Sequence, residues 1–218
     1  MRVSIYDLDR TLTRQSTYLR FLVFAARRSA AWRLLRLPEV LAAMAAYKLK
    51  ILDRARLKEI MQDRLLGPSV RRDRVGPLAD AFAQEVVERG CRPEVIARLE
   101  AERAQGCVIV IATAAFRLHA GPIAHRLGVE HLVATDAQRR GDRILARLDG
   151  PDRRGGAKMD GVDAWLREHE ALAAAGFRFY SDDDSDMPVF ERAAQCIAVH
   201  PGRRLRRIAE ARGWEVIG

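Results

Sequence analysis

The chain has 218 residues, 49% of them apolar, which is enough to bury a full core and too much for a disordered polypeptide. Its three cysteines, Cys91, Cys107 and Cys196, form no C-x-x-C pair; this argues against a disulfide framework or a zinc site and for a reducing compartment. The formal charge is +9, and most of it lies in residues 14–50, where eight arginines and lysines face Glu39 alone, a local charge of +7.

Residues 2–6 read as a short buried strand that runs straight into Asp7, Asp9 and Thr11. No signal-peptide apolar region fits before these aspartates. The longest apolar runs, residues 21–26 and 40–47, are far shorter than a membrane span. A cytoplasmic protein is expected, soluble or peripheral to a membrane. From residue 14 to about 100 the pattern is helical almost throughout. Pro38 opens "PEVLAAMAAYKL", Asp53 precedes "RARLKEIMQDRLL", Gly67-Pro68 is a stop, and Pro77 opens "PLADAFAQEVVERG", which ends at Gly90.

From about residue 93, helices and strands alternate. "PEVIARLEAERAQG" is a helix, "CVIVIAT" a strand covered on both faces, and "HAGPIAHRLG" a helix. "HLVAT" is a short strand, and "RRGDRILARLDG" a hairpin turning at Gly141-Asp142. "KMDGVDAWLREHEALAAAG", "MPVFERAAQ" and "GRRLRRIAEARG" read as helices, alternating with the strands "FRFYS", "CIAVH" and "WEVI". The fold class expected is α/β, a doubly wound, mostly parallel sheet with an all-helical insertion after the first strand. The expected division is a core of residues 1–13 and 101–218, with residues 14–100 inserted.

In such a sheet, ligands bind at the carboxyl ends of the strands. Asp7, Asp9 and Thr11 follow the first strand, and Thr113 follows "CVIVIA". Lys158 opens a helix after Gly155-Gly156, and Asp182 to Asp186 follow "FRFYS". Clustered carboxylates with no His/Cys set call for a hard cation such as Mg²⁺. A lysine and a threonine hydroxyl beside it suit a phosphoryl group. Asp7 is then placed to attack phosphorus, and Asp9 to protonate the leaving oxygen and activate water.

"DLDRTLT", Thr113, Lys158 and "YSDDDSDMP" resemble the four motifs of the haloacid-dehalogenase-like (HAD) superfamily. The insertion resembles the helical cap of its subfamily IB, which includes phosphoserine phosphatases. The resemblance implies a Mg²⁺-dependent phosphomonoesterase that works through an aspartyl-phosphate on Asp7. It implies Asp9 as acid/base and metal contact through its main-chain carbonyl, and Thr113 and Lys158 as phosphoryl ligands. It also implies metal ligation by Asp7 and Asp182, with Asp186 at the metal or its waters. Asp183 and Asp184 are extra to the motif and read as solvated loop carboxylates. The subfamily's phosphoserine enzymes have a glutamate where this chain has Ser16, which argues against phosphoserine as substrate.

His119, His125 and His200 read as surface or packing residues, and Trp32, Trp165 and Trp214 as anchors of core or cap. The expected partner is a small phosphorylated substrate. Nucleic acid is not expected, since no reading motif accompanies the basic run. The mixture of leucines, aromatics and arginines in residues 14–50 has two readings. One is an apolar face packed on the core with arginines in water. The other, which resembles the cap entrance of phosphatidylglycerophosphate-type phosphatases, is contact with an anionic bilayer. A basic binding protein without turnover is the non-enzymatic alternative.

Overall fold

All four residues of Val3–Tyr6 are buried, so this strand needs a layer on each face. The computed structural model, which describes residues 3–170 and 176–218, supplies both. Its elements are β1 (Val3–Tyr6), α1 (Tyr18–Ser29), α2 (Leu37–Lys48), α3 (Arg54–Leu65), β2 (Ser69–Arg71), α4 (Arg72–Glu85), α5 (Pro93–Ala104), β3 (Val108–Phe116), α6 (Arg117–Arg126), β4 (His131–Arg140), β5 (Arg143–Asp149), α7 (Gly156–Glu168), β6 (Phe177–Ser181), α8 (Met187–Phe190), β7 (Gln195–Val199), α9 (Arg203–Arg212) and β8 (Glu215–Ile217). The sheet order is β2-β5-β4-β3-β1-β6-β7-β8. The run from β4 to β8 is parallel, while β5 pairs antiparallel with both β4 and β2. The sheet is therefore mostly parallel, as the alternation predicts.

The two-residue period of β1 divides the core. Val3 and Ile5 point into a cluster with Met159, Val162 and Trp165 of α7 and Phe190 of α8. Tyr6 points into the other cluster, with Val95 and Leu99 of α5 and Ile123 of α6. On that face the Tyr6 and Tyr180 rings stack at 4.1 Å. Their hydroxyls donate to buried Glu102 at 2.7 and 2.5 Å, and Arg178 donates to the same carboxylate at 3.0 Å.

The structure departs from the sequence reading at several places. The insertion is not all helical: β2 pairs with β5 and forms the sheet edge. Three residues are too few to show a strand period. Pro77 does not open α4, which begins at Arg72 and runs through it. Gly76 has nothing within 4 Å of the place a Cβ would take, and lacking that atom it avoids the clash a proline imposes on its predecessor. The Gly121-Pro122 pair inside α6 works the same way. "HLVAT" is the first half of β4, which continues to Arg140 and the hairpin. The helix read in "MPVFERAAQ" is only four residues long. Trp32 is no anchor: 58% of its surface is exposed, whereas Trp165 is buried. Arg2 of the first strand and residues 171–175 of the helix read after Lys158 lie outside the described residues.

Replacing Glu102 by alanine removes the acceptor of both phenol hydroxyls and the carboxylate shared by Arg178 and Arg98, and leaves a buried gap. The expected loss of stability in urea unfolding is about 3–5 kcal/mol. A loss below about 1 kcal/mol, the worth of one ordinary hydrogen bond, would contradict this reading of the tyrosine–glutamate cluster.

Candidate active site

The chain enters the site at the end of β1, where the Asp7 amide donates to the Tyr180 carbonyl at 2.9 Å and keeps the strand pairing to its last residue. The turn over Leu8–Leu12 then reverses direction. Arg10 takes a left-handed φ of 65°, which a non-glycine residue adopts only when held. Here it is held: the Thr13 amide donates to the Leu8 carbonyl at 3.0 Å, and Arg92 donates to the Arg10 carbonyl at 3.1 Å.

This turn sends the two aspartates to different partners. Asp7 is buried, and its Oδ1 accepts from Lys158 Nζ at 2.8 Å. Asp9 Oδ1 accepts from the Thr17 amide and the Thr17 hydroxyl, both at 2.7 Å, and Oδ2 accepts from Ser16 at 3.2 Å. Because the Thr17 proton goes to Asp9, His119 Nε2–H donates to Thr17 Oγ1 at 3.1 Å. His119 Nδ1 has no hydrogen-bond partner among the described residues. The result is a relay of fixed direction, from imidazole to threonine to carboxylate.

Lys158 also donates to Asp186 at 2.6 Å, and Ser181 donates to the same carboxylate oxygen at 2.7 Å. Asp182 meets Thr11 twice: its amide donates to the threonine hydroxyl at 3.1 Å, and that hydroxyl donates to Asp182 Oδ1 at 3.3 Å. Thr113 is buried in β3, its hydroxyl accepting from the Ala115 amide at 3.0 Å. One cavity of about 1010 Å³ is lined by the six residues to which the sequence reading gives a catalytic, phosphate or metal role: Asp7, Asp9, Thr113, Lys158, Asp182 and Asp186. Asp183 also lines this cavity, and neither it nor Asp184 is the solvated loop carboxylate expected: both are half-buried and paired. The first pairs with Arg154 at 3.1 Å and accepts from the Ser185 amide, and the second pairs with Arg204 at 3.1 Å.

The electrostatics are those of too many carboxylates for one ammonium. Burial pushes Asp7 up to about 7, against the pull of Lys158 and with the help of Asp186. Burial and then Asp183 push Asp182 up to about 6. Burial alone would lower Lys158, but Asp186 and Asp7 hold it well above the usual lysine range, fully charged.

Among the described residues, no group of three or more His, Cys, Asp or Glu side chains stands ready to hold a metal ion. The ligand set implied by the motifs needs only the Asp7 and Asp182 side chains and the Asp9 carbonyl. Oxygen donors in a site short of positive charge fit Mg²⁺, which keeps several of its waters.

The sequence reading missed several side chains here. Lys58, on α3, donates to the Ala114 carbonyl at 2.6 Å and pairs with Asp152. It joins the inserted helices to the loop before α7 and to the segment next to Thr113. Burial, opposed by Asp152, pushes it down to about 8. Thr17 and His119 carried no signal, because the relay joins residues 102 positions apart in the chain. His119, expected at the surface or in packing, is fully buried and packs with Phe21 5.1 Å away in a stacked arrangement.

The sequence profile of the haloacid dehalogenase-like hydrolases matches residues 5–191. The chain belongs to this family. A histidinol-phosphatase of Neisseria meningitidis serogroup C (strain 8013) is 28% identical over 99 residues, a stretch of 44% of this chain and 45% of that one. The match thus takes in under half of that curated relative. A protein of unknown function from Bordetella pertussis Tohama I superposes with a TM-score of 0.88 at 28% identity, covering 100% of this chain and 98% of the other. A phosphoserine phosphatase solved as a phospho-aspartyl intermediate analogue superposes at 0.67 over 99% of this chain and 92% of its own; at 15% identity this shows a shared fold.

The buried imidazole of this hydrolase makes its stability pH-dependent. Burial pushes His119 down to about 4, below the value of about 6.5 in the unfolded chain. Its contribution is complete above pH 6.5 and is lost as pH falls toward 4, because only the unfolded state takes up the proton in that window. Between pH 7.5 and 5, the wild type should lose about 2 kcal/mol more than His119→Gln, which cannot titrate. Parallel pH dependences in urea unfolding would contradict the neutral, buried state of His119.

Proposed function

We propose that the protein is a Mg²⁺-dependent phosphomonoesterase that works through an aspartyl-phosphate on Asp7. The observation that carries this is the divergence of two aspartates only two residues apart. Asp7 is buried against a lysine, and Asp9 is held by Thr17 and Ser16. Two carboxylates in different environments suit two tasks.

In this reading a carboxylate oxygen of Asp7 attacks phosphorus as the bond to the leaving alkoxide breaks. Asp9, protonated at that moment, gives its proton to the leaving oxygen. As a carboxylate it then takes a proton from water, which attacks the acyl phosphate, releases inorganic phosphate and restores Asp7. Thr17 and Ser16 keep Asp9 aimed through both steps. Lys158 and Thr113 bind phosphoryl oxygens, and Lys158 keeps Asp7 ionised as it does so. Asp7, Asp182 and the Asp9 carbonyl, with Asp186 beside them, would hold a Mg²⁺, which would lower the repulsion between nucleophile and phosphate.

Residues 14–100 act in this proposal as a cap over a core of residues 1–13 and 101–218, in a cytoplasmic setting that suits three unpaired thiols. The cavity lies at the upper end of the usual size for a small-molecule site. Its far wall combines Val23, Phe24, Met44 and Phe82 with Arg27 and Arg28. That wall supports a phosphomonoester with an apolar body, larger than phosphoserine. Ser16 supports the same choice, because its hydroxyl is spent on Asp9.

Asp7→Asn should lower hydrolysis of a generic phosphomonoester by at least about 10³-fold while leaving the unfolding midpoint unchanged or raised, since one buried negative charge is gone. Near-normal turnover by this variant would overturn the mechanism. Excess chelator should abolish activity and Mg²⁺ should restore it. Ca²⁺ should bind with little turnover, because its looser shell misplaces the nucleophile. A panel of phosphoserine, sugar phosphates, nucleotides and lysophospholipid phosphates tests the substrate class, and a preference for phosphoserine would contradict it.

A further inference from the structure

Among the described residues, five large hydrophobic side chains are exposed, and all of them fall within twenty positions of one another: Trp32 (58%), Leu35 (83%), Leu41 (59%), Leu49 (71%) and Ile51 (75%). Scattered exposed leucines are ordinary, but a concentration of this kind marks a contact surface. The helix in its middle explains the concentration. Apart from Glu39 and Lys48, α2 is uncharged. Val40, Met44 and Tyr47 turn inward on it, while Pro38, Leu41, Ala42 and Ala45 are exposed at helical spacing. A helix that is apolar on both sides needs cover on both sides. The protein covers one.

The charge around this face selects what covers the other. Between residues 27 and 50 stand Arg27, Arg28, Arg33, Arg36, Lys48 and Lys50 against a single acid, Glu39. That acid is already neutralised by Arg64 at 2.5 Å and Arg36 at 3.8 Å. Lys48 and Lys50, at the end of α2, are exposed and have no carboxylate partner among the described residues; Arg27, likewise exposed and unpaired, also lines the cavity. A second copy of the chain laid on this face would bring a positive rim against a positive rim. A neutral partner would leave the rim unused. An anionic lipid surface satisfies both features, taking the leucines and tryptophan at the level of the acyl boundary and the basic rim at the headgroups.

We propose that residues 27–51 dock the protein on an anionic membrane surface, with the outer face of α2 lying in the interface. The inner face of the same helix contributes Met44 and Tyr47 to the cavity, so docking sets the site beside the bilayer. The proposal is independent of the reaction catalysed there.

The test is co-sedimentation of the full chain with vesicles of phosphatidylcholine, with and without phosphatidylglycerol. Binding is expected only to the phosphatidylglycerol vesicles. It should weaken with salt, since the Debye length is roughly 8 Å at physiological ionic strength. Trp32 emission should shift to the blue on binding, and the shift should be absent in Trp32→Phe. Lys48→Gln/Lys50→Gln should reduce binding about tenfold or more. Leu41→Ser/Leu49→Ser/Ile51→Ser should do likewise with unchanged circular dichroism, and neither set touches the cavity. Failure to bind phosphatidylglycerol vesicles at low salt would overturn the proposal. So would binding by either variant as tight as that of the wild type, or a dimer in sedimentation velocity that the triple serine variant dissolves, which would assign the face to a second copy.

Discussion

Two buried carboxylates, a half-buried third and one buried ammonium meet at the carboxyl end of β1, and the imbalance among them organises the rest of the molecule. A lone buried carboxylate costs several kcal/mol; buried Asp7 and Asp186 share Lys158, while half-buried Asp182 has only the more distant pull of Arg10. The fold has to deliver that lysine accurately. It does so from the start of α7, where Gly155 takes a φ of 58°. A Cβ there would also stand 3.3 Å from the Ser185 carbonyl oxygen, so this turn closes against the Asp186 loop only with glycine. The sheet order brings the other two carriers together, since β1 lies between β3 and β6. Thr113 and Asp182 thus flank Asp7 from neighbouring strands. Charge left uncompensated by one lysine is the physical reason for a divalent cation at this point.

The inserted helices are joined to this centre by a few polar contacts that are themselves buried. Lys58 reaches the Ala114 carbonyl and Asp152, and Asp152 also holds Arg54 at 3.1 Å. Tyr18 donates to the Lys58 carbonyl at 2.8 Å. Thr17, one residue before α1, fixes Asp9. The start of the first inserted helix and the acid/base aspartate are therefore one mechanical unit. The relay from His119 adds rigidity to it without adding charge, because burial keeps the imidazole neutral.

Much of this was legible in the sequence, and the boundary of legibility has physical causes. "CVIVIAT" could only be a strand covered on both faces, and the aspartates at the end of the first strand had to meet other strand ends. That is why Asp7, Asp9, Thr113, Lys158, Asp182 and Asp186 were found together before any geometry. Asp183 and Asp184 were set apart from the motif by the spacing to Met187-Pro188, and each has its own arginine, Arg154 in the loop before α7 and Arg204 at the start of α9. What stayed hidden were contacts between distant residues with no periodic signature: Glu102 under two tyrosines, Lys58 on Asp152, and His119 behind Thr17. The strand β2 was hidden by its length. The exposed side of α2 was invisible for another reason. A sequence shows that a helix is apolar all round, but only the packing shows which side goes uncovered, and Leu41 with Ala45 lies on the open side.

The central claim is that Asp7 becomes covalently phosphorylated during turnover, and trapping the acyl phosphate tests it directly. Acid-quenching the Mg²⁺-loaded protein in mid-turnover, reducing it with borohydride and mapping its peptides should show homoserine in place of Asp7 and unmodified aspartate at position 9. Conversion at Asp9, or no conversion at any aspartate while substrate is being consumed, would contradict the account.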